Sequence, residues 1–136
     1  FTLIEIMVVV IVLAIMASLI VPQFGGAIYD GKVSKARSDI KNLENALERY
    51  YLRMDKYPTT EQGLRALVEA PADAGTNWGG PYLKRLEKDA WEQDYQYRSP
   101  GEESRPYDIW SQGADGQDGG EGKDADITNW REEGGA

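Results

Sequence analysis

The sequence predicts an α+β fold: one long N-terminal helix packed on a small antiparallel sheet, with a glycine-rich acidic loop towards the C-terminus. Three observations predict it. A predominantly apolar run, Phe1 to Val21, opens the chain. A stripe of apolar residues spaced three and four apart follows it. Beyond the stripe, two short alternating segments flank a Ser99-Pro100-Gly101 turn.

The opening run reads FTLIEIMVVVIVLAIMASLIV, and Glu5 is its single charged side chain. As an α-helix it would be about 30 Å long, the thickness of a bilayer's hydrocarbon core. Residues 1–21 are therefore read as a membrane span. An ionised acid inside such a span costs about 2.5–3.5 kcal/mol on insertion scales, so Glu5 needs a reason to be there. One local reason is that a carboxylate near a helix start suits the helix dipole and the head-group region. The chain starts at Phe, as a trimmed chain or one cut by a protease immediately before Phe1 would. Lys32, Lys35 and Arg37 follow the span and nothing basic precedes it, which by charge alone would place the rest of the chain in the cytoplasm. A removed basic leader would reverse that orientation.

Pro22, Gly25, Gly26 and Gly31 weaken helix, which predicts a break near residues 22–26. Past it, Val33, Ala36, Ile40, Leu43, Leu47, Tyr50 and Met54 share one helical face. That face reads as the core side of a helix packed on a sheet; a coiled-coil seam would need more sustained heptads. The arm is placed at residues 1–56 and a globular head at 57–136. On the arm's polar face, Glu44 and Glu48 lie one turn apart and repel each other unless a cation stands between them. Lys84, Arg85 and Lys88 form the dense basic cluster of the head and are candidate partners on a neighbouring subunit. A solvated face is the alternative.

Tyr57 and Pro58 end the arm. Thr59 and Gln62 form a capping-box pattern that predicts a second helix through Leu64, Leu67 and Val68 to about Ala70, where Pro71 stops it. Residues 71–81 read as a loop carrying Trp78. Tyr95 and Tyr97, then Tyr107, Ile109 and Ser111, alternate with polar residues and predict an antiparallel hairpin.

Composition narrows the function classes. The 136 residues contain no Cys and no His, which removes thiol nucleophiles, imidazole bases, zinc fingers and disulfide staples, so any metal must be held by oxygen. The net charge is −8, with the arm at +1 and the head at −9. Nucleic acid and anionic lipid would be repelled by such a head, and divalent cations attracted. The stretch GADGQDGGEGKDADITNW, residues 113–130, sets Asp115, Asp118, Glu121, Asp124 and Asp126 among glycines that let carbonyls and carboxylates converge. A hard cation such as calcium takes six to eight oxygens at about 2.3–2.6 Å. The spacing does not match an EF-hand, since Gln117 stands where the second ligand belongs. GGEGKD matches part of a calcium-binding β-helix repeat, but a single copy builds no solenoid, and Asp126 stands where that repeat has a large apolar residue. A calcium loop and an ordinary solvated acidic loop both remain open on these residues.

FTLIEIMVVVIVLAIMA with Glu at position five, together with YPTTEQGL, YLKRL, DYQYRSPG, GADG and ADITNW, resembles the major pseudopilin of type II secretion systems over nearly the whole chain. The resemblance implies an inner-membrane, single-pass subunit with a periplasmic head. It further implies a prepilin peptidase that cuts before Phe1 and N-methylates it. The subunit would polymerise into a helical filament driving export of folded proteins, with minor pseudopilins and an inner-membrane assembly platform as partners. No catalysis belongs to such a subunit. Phe1, Glu5, Pro22, Glu44, Glu48 and Arg85 are the expected assembly residues. An incoming Phe1 ammonium would meet the Glu5 carboxylate of an adjacent subunit in the apolar filament core. Pro22 and its neighbouring glycines mark where helicity would be lost on assembly. The family's calcium site carries over to the side chains of Asp115 and Asp126, then Asp124, with the Gln112 and Lys123 carbonyls completing it; Asp118 and Glu121 are not expected ligands.

This chain departs from the family pattern where Pro usually follows KRL and DPWG comes next: Glu87, Ala90 and Glu92 stand there, which implies either a less rigid loop before the hairpin or a divergent branch with its own secretion system. The ending, Glu132 to Ala136, is expected to be disordered. Two other function classes compete. A type IV pilus subunit would usually carry a cysteine pair, and a membrane-tethered periplasmic enzyme would need a nucleophile–base pairing that the sequence does not display.

Overall fold

The structure, a computed structural model, describes residues 1–130, and for residues 19–25 the backbone alone. The expected disorder of Glu132 to Ala136 lies outside the described residues. Helix α1 runs Leu3–Met54, followed by a 3-10 turn at Leu64–Leu67 and strands β1, Gln96–Arg98, and β2, Asp108–Ser111. Short 3-10 turns at Gly113–Asp115 and Gly122–Asp124 then lead to β3, Ile127–Thr128. The three strands form one antiparallel sheet in the order β1-β2-β3.

The chain divides into two compact units, Phe1–Gly31 and Lys32–Ala136. The second unit thus takes in the amphipathic half of α1. The cause is the apolar stripe: Ala36, Ile40, Leu43, Leu47 and Tyr50 are buried and supply one wall of the second unit's core, with Val33 and Met54 partly buried at its ends. The opposite wall is Leu64, Leu67, Tyr95, Tyr107, Ile109 and Ile127. Leu47, Leu67 and Ile109 are fully buried, and each contributes about 1.5–3 kcal/mol by leaving water.

The helix is continuous through positions 22–26 in the single chain. Proline's fixed φ is compatible with a helix, and its missing donor removes one hydrogen bond from a ladder that continues on both sides. At its C-terminal end α1 stops at Asp55, whose φ of 62° is left-handed and whose N–H donates to Tyr51 O at 2.8 Å.

The predicted second helix shrinks to one 3-10 turn. Its capping box does form: Gln62 N–H donates to Thr59 Oγ1 at 3.2 Å and Thr59 N–H to Gln62 Oε1 at 3.0 Å. Gly63 then turns to φ 63°, ψ −169°, which no helix accommodates. The predicted hairpin is present, with Tyr97 opposite Ile109 and Arg98 opposite Asp108. Strand β3 was not expected; it pairs Thr128 with Trp110 and Ile127 with Ser111.

Candidate functional site

The first candidate is the start of α1. Thr2 caps it, accepting from Glu5 N–H through Oγ1 at 3.2 Å and from Ile6 N–H through its carbonyl at 3.3 Å. Every described side chain from Phe1 to Ser18 is exposed, and the large apolar ones range from 48% at Val12 to 107% at Phe1. A helix apolar on all sides has no inner face to bury within its own unit; it is built for an apolar surrounding. Among the described residues no helix is long and apolar enough to cross a membrane; the described side chains of this run end at Ser18. The side chain of Pro22 lies outside the described residues.

On the amphipathic half, Glu44 and Glu48 do not share a cation. Lys41 Nζ lies 3.7 Å from Glu44, and Glu48 accepts from Tyr57 O–H at 2.9 Å. Burial, and then the bond to Glu48, push the Tyr57 hydroxyl up to about 12. Burial also raises Tyr107, and the charges of Glu44 and Glu48 raise it further. Arg85 is exposed, pairs with Glu87 at 2.8 Å, and lines a cleft of about 400 Å³ with Asp39, Leu43, Leu83 and Tyr95. The structure thus gives Glu44, Glu48 and Arg85 local partners and does not bring the two acids onto Arg85 within the described chain.

The acidic loop is closed by its own backbone. Gln117 N–H donates to Asp115 Oδ1 at 3.1 Å, and Gly119 N–H to Asp126 Oδ2 at 2.9 Å. The turns Gly113–Asp115 and Gly122–Asp124 touch. At Gly113, φ 72°, an added Cβ would lie 2.9 Å from Ala125 O, and at Gly120, φ 90°, 2.5 Å from Asp124 O. Only glycine permits that approach, and it leaves a cradle of carbonyl oxygens beside exposed Asp115 and Asp124. The donor set of carboxylates and carbonyls suits a hard divalent cation. Among the described residues no three acidic side chains are gathered closely enough to hold a metal by themselves, so carbonyls must supply much of any shell. Asp118 is engaged otherwise: Gln112 Nε2 and Trp110 Nε1 donate to its Oδ1 at 2.9 and 2.8 Å, and these bonds hold it below the usual carboxylate range.

Two acids not singled out from the sequence organise the surroundings. Asp108 is fully buried. Its oxygens accept from Arg98, from Arg105 Nε at 2.6 Å and from Glu102 N–H at 3.0 Å. Burial alone would raise this carboxyl, but the bonds from Arg105, Glu102 N–H and Arg98 outweigh it and hold it at about 2. The same guanidiniums cover indoles: Arg98 lies 5.0 Å from the Trp110 centroid and Arg105 4.7 Å from that of Trp130. The two indoles meet edge to face, 5.9 Å apart at 69°. Asp89, also buried, accepts from Trp91 N–H and Gln93 N–H, each at 2.9 Å, and from Ser111 O–H at 2.7 Å. Through it the loop before the hairpin is tied to β2 despite its departures from the DPWG pattern. Glu92, where that pattern has Gly, keeps a left-handed φ of 61°.

The profile of the family "Type II secretion system (T2SS), protein G" matches residues 23–130. The chain is 52% identical over 132 residues to the type II secretion system core protein G of Vibrio cholerae, an alignment covering 96% of this chain and 90% of that protein. It is 49% identical over 133 residues to the protein of the same name from Pseudomonas aeruginosa, covering 96% and 93%. Its fold matches the crystal structure of the major pseudopilin from the type 2 secretion system of enterohaemorrhagic Escherichia coli. That match has a TM-score of 0.65 and 41% identity, and it covers 77% of this chain and 91% of that one. A capped apolar helix, a stripe-packed sheet and an acidic loop, with these similarities, show that the chain belongs to the type II secretion system protein G family, the family of the major pseudopilin.

Proposed function

We propose that the chain is the structural subunit that polymerises into the type II secretion pseudopilus, a helical filament driving export of folded proteins across the outer membrane. The observation that carries this is the start of α1: an all-round apolar helix, exposed throughout its described length, on a member of the protein G family. Before assembly the arm is an inner-membrane anchor with the head in the periplasm; in the filament it becomes the shared core. A prepilin peptidase cuts before Phe1 and methylates it, and minor pseudopilins and an inner-membrane assembly platform are the partners. The subunit performs no catalysis. The type IV pilus alternative lacks support, because the similarity runs through the head segments that mark secretion subunits.

Within the filament, the Phe1 ammonium pairs with Glu5 of an adjacent subunit, since removing either partner would strand a charge in an apolar core. The segment around Pro22 stretches on assembly. Glu44 and Glu48 exchange their local partners for Arg85 of a neighbour. Calcium is held by Asp115, Asp126 and Asp124 with the Gln112 and Lys123 carbonyls, and when bound it cross-links the two turns of a head that has no disulfide. Electron microscopy of cells producing Glu5→Ala subunits tests the assembly reading. Loss of filaments with retained membrane subunits is expected, whereas wild-type filaments and export would overturn the charge-pair role.

A further inference from the structure

Asp118 receives two side-chain donors through one oxygen, an indole N–H from β2 and an amide from the residue that follows β2. The indole is itself held on other sides, by the Arg98 guanidinium over its face and by an edge-to-face contact with Trp130. Gln112 is also the residue whose carbonyl is assigned to the calcium shell, and it immediately precedes the turn that carries Asp115. An acceptor that grips both Trp110 and Gln112 therefore fixes the exit of β2 against the middle of the loop. It does so with neutral donors, so the grip does not depend on a cation.

We infer that Asp118 is a positioning residue of the acidic loop: it clamps Gln112 to Trp110 and so pre-sets the Gln112 carbonyl and the Asp115 turn for an incoming ion, without ligating it. The inference rests on the calcium reading of the loop. A loop ordered in advance loses less freedom when the ion arrives, and contacts supporting metal ligands typically change affinity about 10- to 100-fold.

Calorimetric titration of the full chain in detergent with calcium chloride tests this, using Asp118→Ala, Asp118→Asn and Trp110→Phe. Asp118→Ala should weaken calcium binding about tenfold or more. Asp118→Asn should stay within about threefold of the parent, because its Oδ1 still accepts. Trp110→Phe, which removes the N–H and keeps a ring, should reproduce the alanine loss. Parent-like affinity in Asp118→Ala or Trp110→Phe would overturn the clamp. So would an Asp118→Asn variant as weak as Asp118→Ala, because charge and not the acceptor would then matter. If the parent chain binds no calcium, the calcium reading itself fails. Hydrogen exchange in chelator then decides the clamp: faster exchange at Gln117 and Gly119 in Asp118→Ala is expected, and unchanged protection would overturn it.

Discussion

Asp108 and the acidic loop are two concentrations of negative charge within one head, and the protein satisfies them differently. Asp108 is sealed from water and saturated by two guanidiniums and a backbone amide. In the loop, Asp115 and Asp124 are exposed, and the bond to Asp115 comes from a backbone amide of its own turn. The first arrangement is complete within the chain, because a buried charge without partners would be prohibitive. The second presents oxygens outward, which suits a cation supplied from solution. The contrast separates an acid that holds the fold from acids left open to solvent.

The largest expected effect falls on the closed cluster. Asp108→Ala removes the buried acceptor shared by Arg98 and Arg105, leaving them Glu102 and Glu103 at the surface, and should destabilise the head by about 3 kcal/mol, the same with and without calcium, as thermal melting would show. A loss that calcium restores would blur the distinction. Next comes the loop: chelation should remove about 1.4 kcal/mol relative to a tenfold excess of calcium over its dissociation constant, and Asp115→Ala should abolish the difference. Melting midpoints unchanged by chelator would argue against a structural ion.

Acid provides a further separation. The Asp108 carboxyl is depressed from 3.8 to about 2, so its contribution is full above about pH 4 and is lost as pH falls towards 2. Denaturant titrations between pH 5 and pH 2 should show that loss in the parent chain and not in Asp108→Ala. The smallest effect concerns an acid outside both clusters. Glu92→Gly relieves a left-handed φ of 61° and should raise stability by about 0.5–1 kcal/mol, with no change in calcium response. Destabilisation by this substitution would mean that the Glu92 side chain contributes a contact that outweighs the strain.

What was legible in the sequence was local and periodic. The stripe from Val33 to Met54 foretold the helix face that builds the core, because burial on one side of a helix repeats with the helix. The alternating tyrosines foretold the hairpin, whose register the structure supplies. At the Thr59–Gln62 box both bonds form, but the φ of Gly63 belongs to a turn, so the pattern does not extend into a helix. Strand β3 was missed because two residues show no alternation; they become a strand only through pairing with Trp110 and Ser111. Asp108 was missed for a similar reason, since Arg98 and Arg105 look like surface charges until the hairpin folds them over it. The register placing Arg98 opposite Asp108 was the signal available. In the loop, composition announced oxygen donors, whereas the engagement of Asp118 by Trp110 and Gln112 depends on how β2 delivers those two side chains.

The crossed indoles of Trp110 and Trp130 also have an optical consequence. Two aromatic transition dipoles held 5.9 Å apart at a fixed oblique angle couple with each other, and their coupled absorption is chiral. The head therefore carries its own dichroic marker at the corner where β2 meets Trp130. That band vanishes when the corner opens, even while the far-ultraviolet signal of α1 persists. Loosening of the corner and melting of the helix can thus be followed as separate events in one unlabelled sample.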